Sequence, residues 1–203
     1  HSVYYRFMNT LSKGEQTKQK IIESAAQLIY KQGFNHTGIA QILKAANVSK
    51  GSFYFHFDDK DQLGFAIINH YRQQFKNSLP LHLHNRALSS REKITAFHQY
   101  YYDAFSQSNF SYGCPIGNLT QELTDLCPVF AQKLNDTLQR MSQVFIQVIT
   151  QGIEDNEISS EIDAEQTAYF IVDSWEGAML RMKTLSSGEP LNRWHAFTLK
   201  LLS

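Results

Sequence analysis

Apolar residues recur at every third or fourth position through almost the whole of this 203-residue chain. This spacing places them on one face of an α-helix, and no segment has the alternation of apolar and polar residues that is typical of a β-strand. All four prolines lie after residue 79, so the first 79 residues are free to form unbroken helices. The sequence therefore predicts an all-α protein of about nine helices.

Charge divides the chain into two parts, although the net charge is zero. Residues 1–60 hold eight Lys or Arg and four Asp or Glu, a net charge of +4, and the remainder holds eleven and fifteen, a net charge of −4. A basic part joined to an acidic body is one indication of nucleic-acid contact. The predicted boundaries are a tail over 1–14, in which 1–7 precede Met8 and are interpreted as foreign to the natural chain, a first domain over 15–75 and a second over 76–203.

Several classes of protein are excluded by the sequence. No apolar run approaches the roughly 18 residues that span a bilayer, and the N-terminus lacks the apolar region of a signal peptide, so we expect a cytoplasmic protein with no membrane association. The two cysteines do not predict a disulfide framework. No nucleophile elbow, phosphate-binding glycine loop or zinc-protease motif is present, so we expect no enzymatic activity and no cofactor. No metal site is expected either. The histidines considered as ligands are His70, His82, His84 and His98, and the pair His82 and His84 falls in a predicted loop, where side chains are usually solvated.

The segment from Asn47 to Leu63 predicts a DNA-binding helix. Asn47 ends one short helix and Ser49 is suited to cap the next, so a turn of three or four residues joins them. Phe53 and Phe57 lie four residues apart and would pack inward, whereas the small and cationic residues at the head of the helix would face outward. This is the arrangement of a helix-turn-helix, whose second helix enters the major groove of DNA.

The same region, from roughly Glu15 to Phe75, resembles the DNA-binding domain of TetR-family transcriptional repressors. The resemblance rests on GFNHTGIAQILKAANVSKGSFYFHFDDKDQL, which contains the pattern G-F, T, I-x-x-A, V-S-K-G-S-F-Y-F-H-F and K-x-x-L. Thr37 is expected to cap the short helix, and Gly38 departs from the family, which more often has a phosphate-contacting residue there. The resemblance implies contacts to double-stranded DNA by Thr37, Gly38, Lys50, Gly51, Ser52, Tyr54, His56 and Lys60.

Physical roles for the polar contacts follow from their positions. Lys50, at the start of the recognition helix, is suited to guanine acceptors or to a phosphate. Tyr54 and His56 are suited to phosphate hydrogen bonds, and the Tyr54 ring also to a thymine methyl group. Lys60, in the first turn of the next helix, would join backbone N–H groups in binding a phosphate.

The last two predicted helices are suited to dimerisation. One recognition helix offers few base contacts, so specificity requires two copies on a pseudo-palindromic operator. The segment YFIVDSWEGAML is apolar all round, and Gly177 permits close approach of another helix. Members of the resembling family usually pair these helices as a four-helix interface, whereas the alternative is that both only close the monomer core. The expected interface residues are Phe170, Ile171, Ala178, Leu191, Trp194, Phe197 and Leu201.

An aromatic run between Tyr100 and Tyr112 precedes Cys114 in the middle of the second part. Such a run is more typical of a core than of a ligand site, although its many hydroxyl groups favour a pocket. A small-molecule inducer of unknown identity would bind there. The expected ligand and sensor residues are Tyr101, Phe105, Phe110, Cys114, Trp175, Met179 and Lys183.

Cys114 is the candidate sensor. Pro115 fits the first position of a helix, which makes the thiol its N-cap, and the positive helix end would lower the thiol pKa. By contrast, Cys127 is expected to end a helix, where the dipole raises a thiol pKa. The alternative is an inert, buried Cys114 beside a site of reversible binding.

A second resemblance concerns this segment. SYGCPIGNLTQELTD resembles the G-C-x-x-G-N-L-x-x-E signature of a TetR subgroup that includes repressors of N-ethylmaleimide reductase, some of which respond to electrophiles or oxidants through a cysteine. The resemblance extends to WEGAMLRMK and implies a Lys183 near the pocket that lowers the thiol pKa further, unless Lys183 lies at the surface.

These patterns together predict a homodimeric repressor that leaves its operator when a small molecule binds or Cys114 is modified. Two alternatives stay open. One is reversible binding of a hydrophobic ligand without thiol sensing, and the other is a partner-binding protein that no longer binds DNA, although Lys50, Tyr54 and Lys60 argue against it.

Overall fold

The computed structural model describes residues 12–83, 85 and 87–203, which contain nine α-helices and no strand. The all-α prediction is confirmed. Most of the predicted tail, His84 and the side chain of His82 lie outside the described residues. The helices are α1 Lys13–Gln32, α2 Ile39–Ala46, α3 Lys50–His56, α4 Lys60–Leu83, α5 Ser90–Ser106, α6 Pro115–Leu123, α7 Pro128–Glu154, α8 Ala164–Leu185 and α9 Glu189–Leu201.

The chain forms two compact units, the first ending at Tyr71 and the second beginning at Arg72, within α4. In the first unit, Ile21 of α1, Ile42 of α2 and Phe53 of α3 are fully buried. The Tyr71 hydroxyl donates to the carbonyl of Ala26 at 2.9 Å and thereby ties α4 to α1. Three helices and the first half of α4 therefore share one core, which fixes the orientation of α3.

The start of α2 differs from the prediction. Gly38, not Thr37, is its N-cap, and the Gln41 side chain accepts a hydrogen bond from the Gly38 N–H at 2.9 Å. Thr37 is fully buried, and its hydroxyl donates to the carbonyl of Gly33 at 2.7 Å. Its side chain thus closes the turn after α1 instead of capping α2.

The end of α4 also differs from the prediction, because the helix continues through Pro80 to Leu83 where a loop was expected. Proline has no N–H, so α4 lacks the hydrogen bond to the carbonyl of Lys76. Only the last turn of the helix follows Pro80, which limits the cost. The expectation that His82 lies in a loop is therefore wrong.

Aromatic rings form the centre of the second unit. The ring of the buried Phe97, on α5, contacts those of Tyr101, Phe145, Trp175 and Trp194 at centroid distances between 4.8 and 6.0 Å. Edge-on and tilted ring pairs of this kind add to the free energy gained by burial. The cluster joins α5, α7, α8 and α9.

Both cysteines precede helices. Cys114 is the N-cap of α6, as predicted. Cys127 is the N-cap of α7, so the expectation that it ends a helix is wrong. The reason is that α6 ends at Leu123, and Pro128 then begins a new helix from its first position. Among the described helices, none combines the length and apolar character needed to cross a bilayer.

Candidate DNA-binding, pairing and sensing sites

The recognition helix α3 is held by its buried rings. Ser49 caps it by accepting a hydrogen bond from the Ser52 N–H at 3.1 Å. The rings of Phe53 and Phe57 are buried with their centroids 5.6 Å apart. Since these rings face inward at i and i+4, the intervening positions face outward, as the sequence predicts.

The outward face of α3 presents most of the predicted contacts. Lys50 and Gly51 are exposed, and a Cβ at Gly51 would meet no atom closer than 4.0 Å. Tyr54 is 45% exposed, with the Lys50 ammonium 5.9 Å from its ring centroid. Ser52 and His56 are partly exposed on the same short helix. The structure therefore brings these five residues together on one short helix.

Two of the expected contacts are occupied elsewhere. Thr37 is buried as described above, so its side chain cannot reach DNA in this conformation. The Lys60 ammonium donates to the carbonyl of Phe34 at 2.6 Å and lies 4.3 Å from the centroid of that ring. The turn after α1 thus holds the Lys60 side chain, and its expected phosphate contact stays a prediction. Gly38 is exposed and offers only backbone.

Phe55 was missed by the sequence reasoning. It is 81% exposed, the most exposed large apolar side chain among the described residues. The inward pair Phe53 and Phe57 already places Phe55 on the opposite side of α3. This spacing was the available signal.

A groove of about 610 Å³ runs between α8 and α9. Phe170 and Phe197 line it and are 63% and 64% exposed, and Leu201 is also exposed. A Cβ at Gly177, in the same groove, would meet no atom of the described residues within 4 Å beyond its own helix backbone and chain neighbours. Ala178 lines the groove as well. Four of the predicted interface residues therefore share one uncovered apolar surface.

The other three predicted interface residues belong to the core. Ile171 and Leu191 are fully buried within the unit, so their expected place in an interface is wrong. Trp194 is 5% exposed, and its indole N–H donates to the Ile171 carbonyl and the Ser174 hydroxyl, each at 3.1 Å. Its ring lies against Trp175 and forms only the floor of the groove.

The predicted ligand residues separate into three groups. Tyr101, Phe105 and Trp175 pack on one another in the aromatic core, and burial raises the pKa of Tyr101. Phe110 packs on Tyr102 instead, beside the turn before α9, so the expectation that it joins them is wrong. The remaining residues, Cys114, Met179 and Lys183, line one small cleft.

That cleft is built on the start of α6. Cys114 accepts a hydrogen bond from the Gly117 N–H at 3.4 Å and is 6% exposed. Gly113 has φ 69°, and a Cβ there would lie 2.9 Å from Lys183 Cδ, so only glycine fits. A Cβ at Gly117 would collide with the Glu176 carboxylate. The two glycines therefore make room for the α8 side chains of Lys183 and Glu176 beside the start of α6.

Lys183 is tied to the same helix. Its ammonium donates to the Asn118 amide oxygen at 2.9 Å, and the Asn118 amide nitrogen donates to the Tyr112 carbonyl at 2.7 Å. The cleft between these groups measures only about 20 Å³. The G-C-x-x-G-N stretch thus has a structural role at each of its specified positions.

The electrostatics of the thiol are opposite to the prediction. Burial, together with the adjacent Glu176 carboxylate, raises the pKa of Cys114 well above its usual value and outweighs the hydrogen bonds from α6. Burial likewise raises the pKa of Glu176 to about 7, with Asp173 contributing. Glu176 Oε1 is buried, and no hydrogen-bond partner for it lies within the described part of the chain. The sequence reasoning missed Glu176, although WEGA places it one helical turn before Met179.

Known proteins resemble the chain over both units. Residues 21–67 match the family of bacterial regulatory proteins named for tetR, and residues 90–197 match the tetracyclin repressor-like C-terminal domain. The transcriptional repressor DhaR of Mycobacterium sp. strain GP1 is 28% identical, with 87% of each chain covered. The transcriptional regulator AcuR of Cereibacter sphaeroides is 30% identical over 89% of this chain and 81% of its own length.

The transcriptional repressor NemR of Escherichia coli K12 is 27% identical over 86% of this chain and 88% of its own length. The crystal structure of reduced E. coli NemR superposes with a TM-score of 0.82 at 26% identity, covering 92% of this chain and 97% of that one. One matched domain covers the recognition helix, and the other covers the cleft and most of the groove. The chain belongs to the TetR family of DNA-binding transcriptional regulators.

Proposed function

We propose that this regulator is a homodimeric repressor that binds a pseudo-palindromic operator and releases it when Cys114 is modified or a small molecule binds nearby. The observation that carries the proposal is the presentation of Lys50 and Tyr54 on a capped helix whose rings, Phe53 and Phe57, are buried. Because DNA is its partner, the protein would act in the cytoplasm, and we infer no enzymatic activity.

The DNA contacts proposed are those that α3 exposes. Lys50 would contact guanine or phosphate acceptors, and Gly51 and Ser52 would leave room for the duplex. Tyr54 and His56 would bind phosphates. Phe55 is added to this set, because an exposed ring on a recognition helix is suited to thymine methyl groups. Gly38 would contribute its backbone.

Pairing is proposed through the apolar face of α8 and α9. Phe170, Phe197 and Leu201 together leave more apolar surface in water than scattered residues usually do. Gly177 gives a second copy close access to α8. Two-fold pairing of this face would set the separation of two recognition helices at about one turn of DNA, roughly 34 Å.

The sensing step is proposed at Cys114 because the thiol lies against α8, one of the two pairing helices. An adduct there would remove the cap of α6 and displace Glu176 and Lys183. The inducer would shift the protein toward a conformation that no longer fits the operator. The size of the shift would depend on how much more tightly the inducer binds that conformation.

A second candidate is reversible ligand binding without thiol chemistry. The observation in its favour is the burial of Cys114 and the raised pKa of its thiol, which reduce its reactivity. The two candidates differ in whether Cys114→Ser abolishes the response.

The test is fluorescence anisotropy with the DNA upstream of the chain's own gene, at two salt concentrations, with and without methyl vinyl ketone. We expect salt-dependent binding that the electrophile abolishes in the wild type and not in Cys114→Ser. Lys50→Ala should weaken binding at least tenfold, whereas Lys76→Ala, an exposed lysine outside the first unit, should not. If the protein binds the operator but no added compound releases it, the sensing step alone is disproved.

A further inference from the structure

The thiol of Cys114 and the carboxyl of Glu176 form a pair that the repressor activity by itself does not require. A Cβ built at Gly117 would lie 3.5 Å from Cys114 Cβ and would collide with Glu176 Oε2, so both side chains converge on one point of α6. The Glu176 carboxylate lies near enough to help raise the pKa of the thiol, after the larger effect of burial. No group of the described residues donates a hydrogen bond to Glu176 Oε1.

We propose that Glu176 is the general base that takes the proton of the Cys114 thiol, and that the site acts on small α,β-unsaturated carbonyl compounds. This inference rests on the proposed sensing function and names its chemistry. The Glu176 carboxylate accepts the S–H proton while sulfur bonds to the β carbon of the electrophile.

The remaining electrons and the proton are balanced within the site. As the C–S bond forms, the π pair of the C=C bond moves to the carbonyl oxygen, which becomes an enolate. The Lys183 ammonium, which lines the same cleft, stabilises that negative charge. The protonated Glu176 then returns its proton to the α carbon, which leaves a saturated carbonyl thioether on Cys114 and a carboxylate on Glu176.

A base is needed here because the thiol does not ionise by itself. Burial keeps the thiol protonated at neutral pH, whereas the pKa of Glu176, about 7, is suited to exchange a proton near that pH. The charged or titratable groups around Glu176 and the thiol are Asp173 and Lys183 on α8 and Tyr101 on α5. Glu176, whose pKa is about 7, is the one of these groups that converges with Cys114 on Gly117.

The dimensions of the cleft limit the substrate. The space open to the centre of a water molecule is about 20 Å³, little more than the roughly 10–15 Å³ that one water molecule needs. An electrophile therefore enters only as the cleft widens, which favours the smallest compounds. The preceding loop holds Asn109, Phe110 and Tyr112 at positive φ, a conformation that L-residues rarely adopt, so we expect this loop to move when the cleft widens.

The test measures the rate of adduct formation by methyl vinyl ketone on Cys114 and Cys127 by peptide mass spectrometry, in the full-length protein from pH 5.5 to 9. Glu176→Gln should react about 100-fold more slowly at Cys114 at pH 7.5. The wild-type rate should rise through pH 7, and this step should vanish in Glu176→Gln. Glu165→Gln, the same change at an exposed position of α8, should leave both rates unchanged.

The opposite result has a clear meaning. If the Glu176 charge only suppresses ionisation of the thiol, Glu176→Gln lowers the thiol pKa, and Cys114 of the variant reacts faster. A faster rate would overturn the proposal, and so would an unchanged rate. Glu176→Asp keeps a base and should retain a step in the pH profile. It also protects the test against a Gln variant that misfolds.

Adduct formation and operator release are separate measurements. If the Cys114 rate depends on Glu176 but the adduct leaves operator affinity unchanged, the sensing function fails and the role of Glu176 stands. If wild-type Cys114 forms no adduct, both fail.

Discussion

Phe197→Ala should break the dimer without unfolding the protomer. Phe197 lies on α9 with 64% of its surface exposed, in the groove that it shares with Phe170. A side chain so exposed contributes little to the core of its own protomer. Its removal therefore tests the pairing surface and leaves the stability of the fold nearly unchanged.

The magnitude follows from the exposed area. A phenylalanine presents about 200 Å² of surface, so the exposed part of Phe197 amounts to about 130 Å². At about 25 cal/mol per Å², burial of that area by a partner contributes about 3 kcal/mol per ring. A two-fold interface buries two such rings, and the alanine methyl retains a small part of the gain. We expect a loss of about 5 kcal/mol, or more than a thousandfold in the dimer dissociation constant.

Sedimentation equilibrium over a wide concentration range measures this constant, and thermal unfolding in dilute solution measures the protomer. Phe55→Ala is the matched control, because it removes an even more exposed ring from the recognition helix. It should leave self-association unchanged and weaken operator binding. A Phe197→Ala protein that dimerises within tenfold of the wild type would refute the proposed interface.

Three further predictions concern single sites. Gly177→Ala should raise the stability of the dilute protomer by about 1 kcal/mol, because alanine favours helices. It should also weaken self-association, because its Cβ enters the proposed interface. A variant in which protomer stability and self-association both rise or both fall would contradict this. Lys60→Ala should destabilise the first unit by about 1–2 kcal/mol in urea denaturation, since it loses the hydrogen bond and the ring contact to Phe34; a change in DNA affinity alone would be inconsistent. Burial lowers the pKa of His98 to about 4. Between pH 6.5 and 4 the unfolded chain therefore binds a proton that the folded chain does not bind, and the free energy of unfolding should fall as the pH drops through this range. His98→Gln should reduce that decline.

Much of the first unit could be predicted from local sequence. The inward position of Phe53 and Phe57 follows from their spacing alone, as does the cap provided by Ser49. Thr37 and Lys60 could not be assigned this way, because their partners, Gly33 and Phe34, lie in a turn whose carbonyls point at them only after α1, α2 and α4 have packed.

The second unit was less predictable, for the same reason. Apolar character marked the α8 and α9 residues as hydrophobic but could not separate the buried Ile171 from the exposed Phe170, one position apart. The core partner of each helix face decides between them. The aromatic run likewise showed where rings would lie, whereas their mutual packing determined that Tyr101 and Trp175 belong to the core.

By itself the sequence determined the helices, the helix-turn-helix and the position of Cys114 at a helix start, because spacing, caps and prolines act over only a few residues. The tertiary structure decided the chemistry of that thiol. The peptide dipole of α6 acts within one turn and would lower the pKa of Cys114, but burial and a carboxylate that lies 62 positions along the chain raise it. Long-range packing sets both the burial of the thiol and the position of the carboxylate, so no local pattern could show that Glu176 faces Cys114.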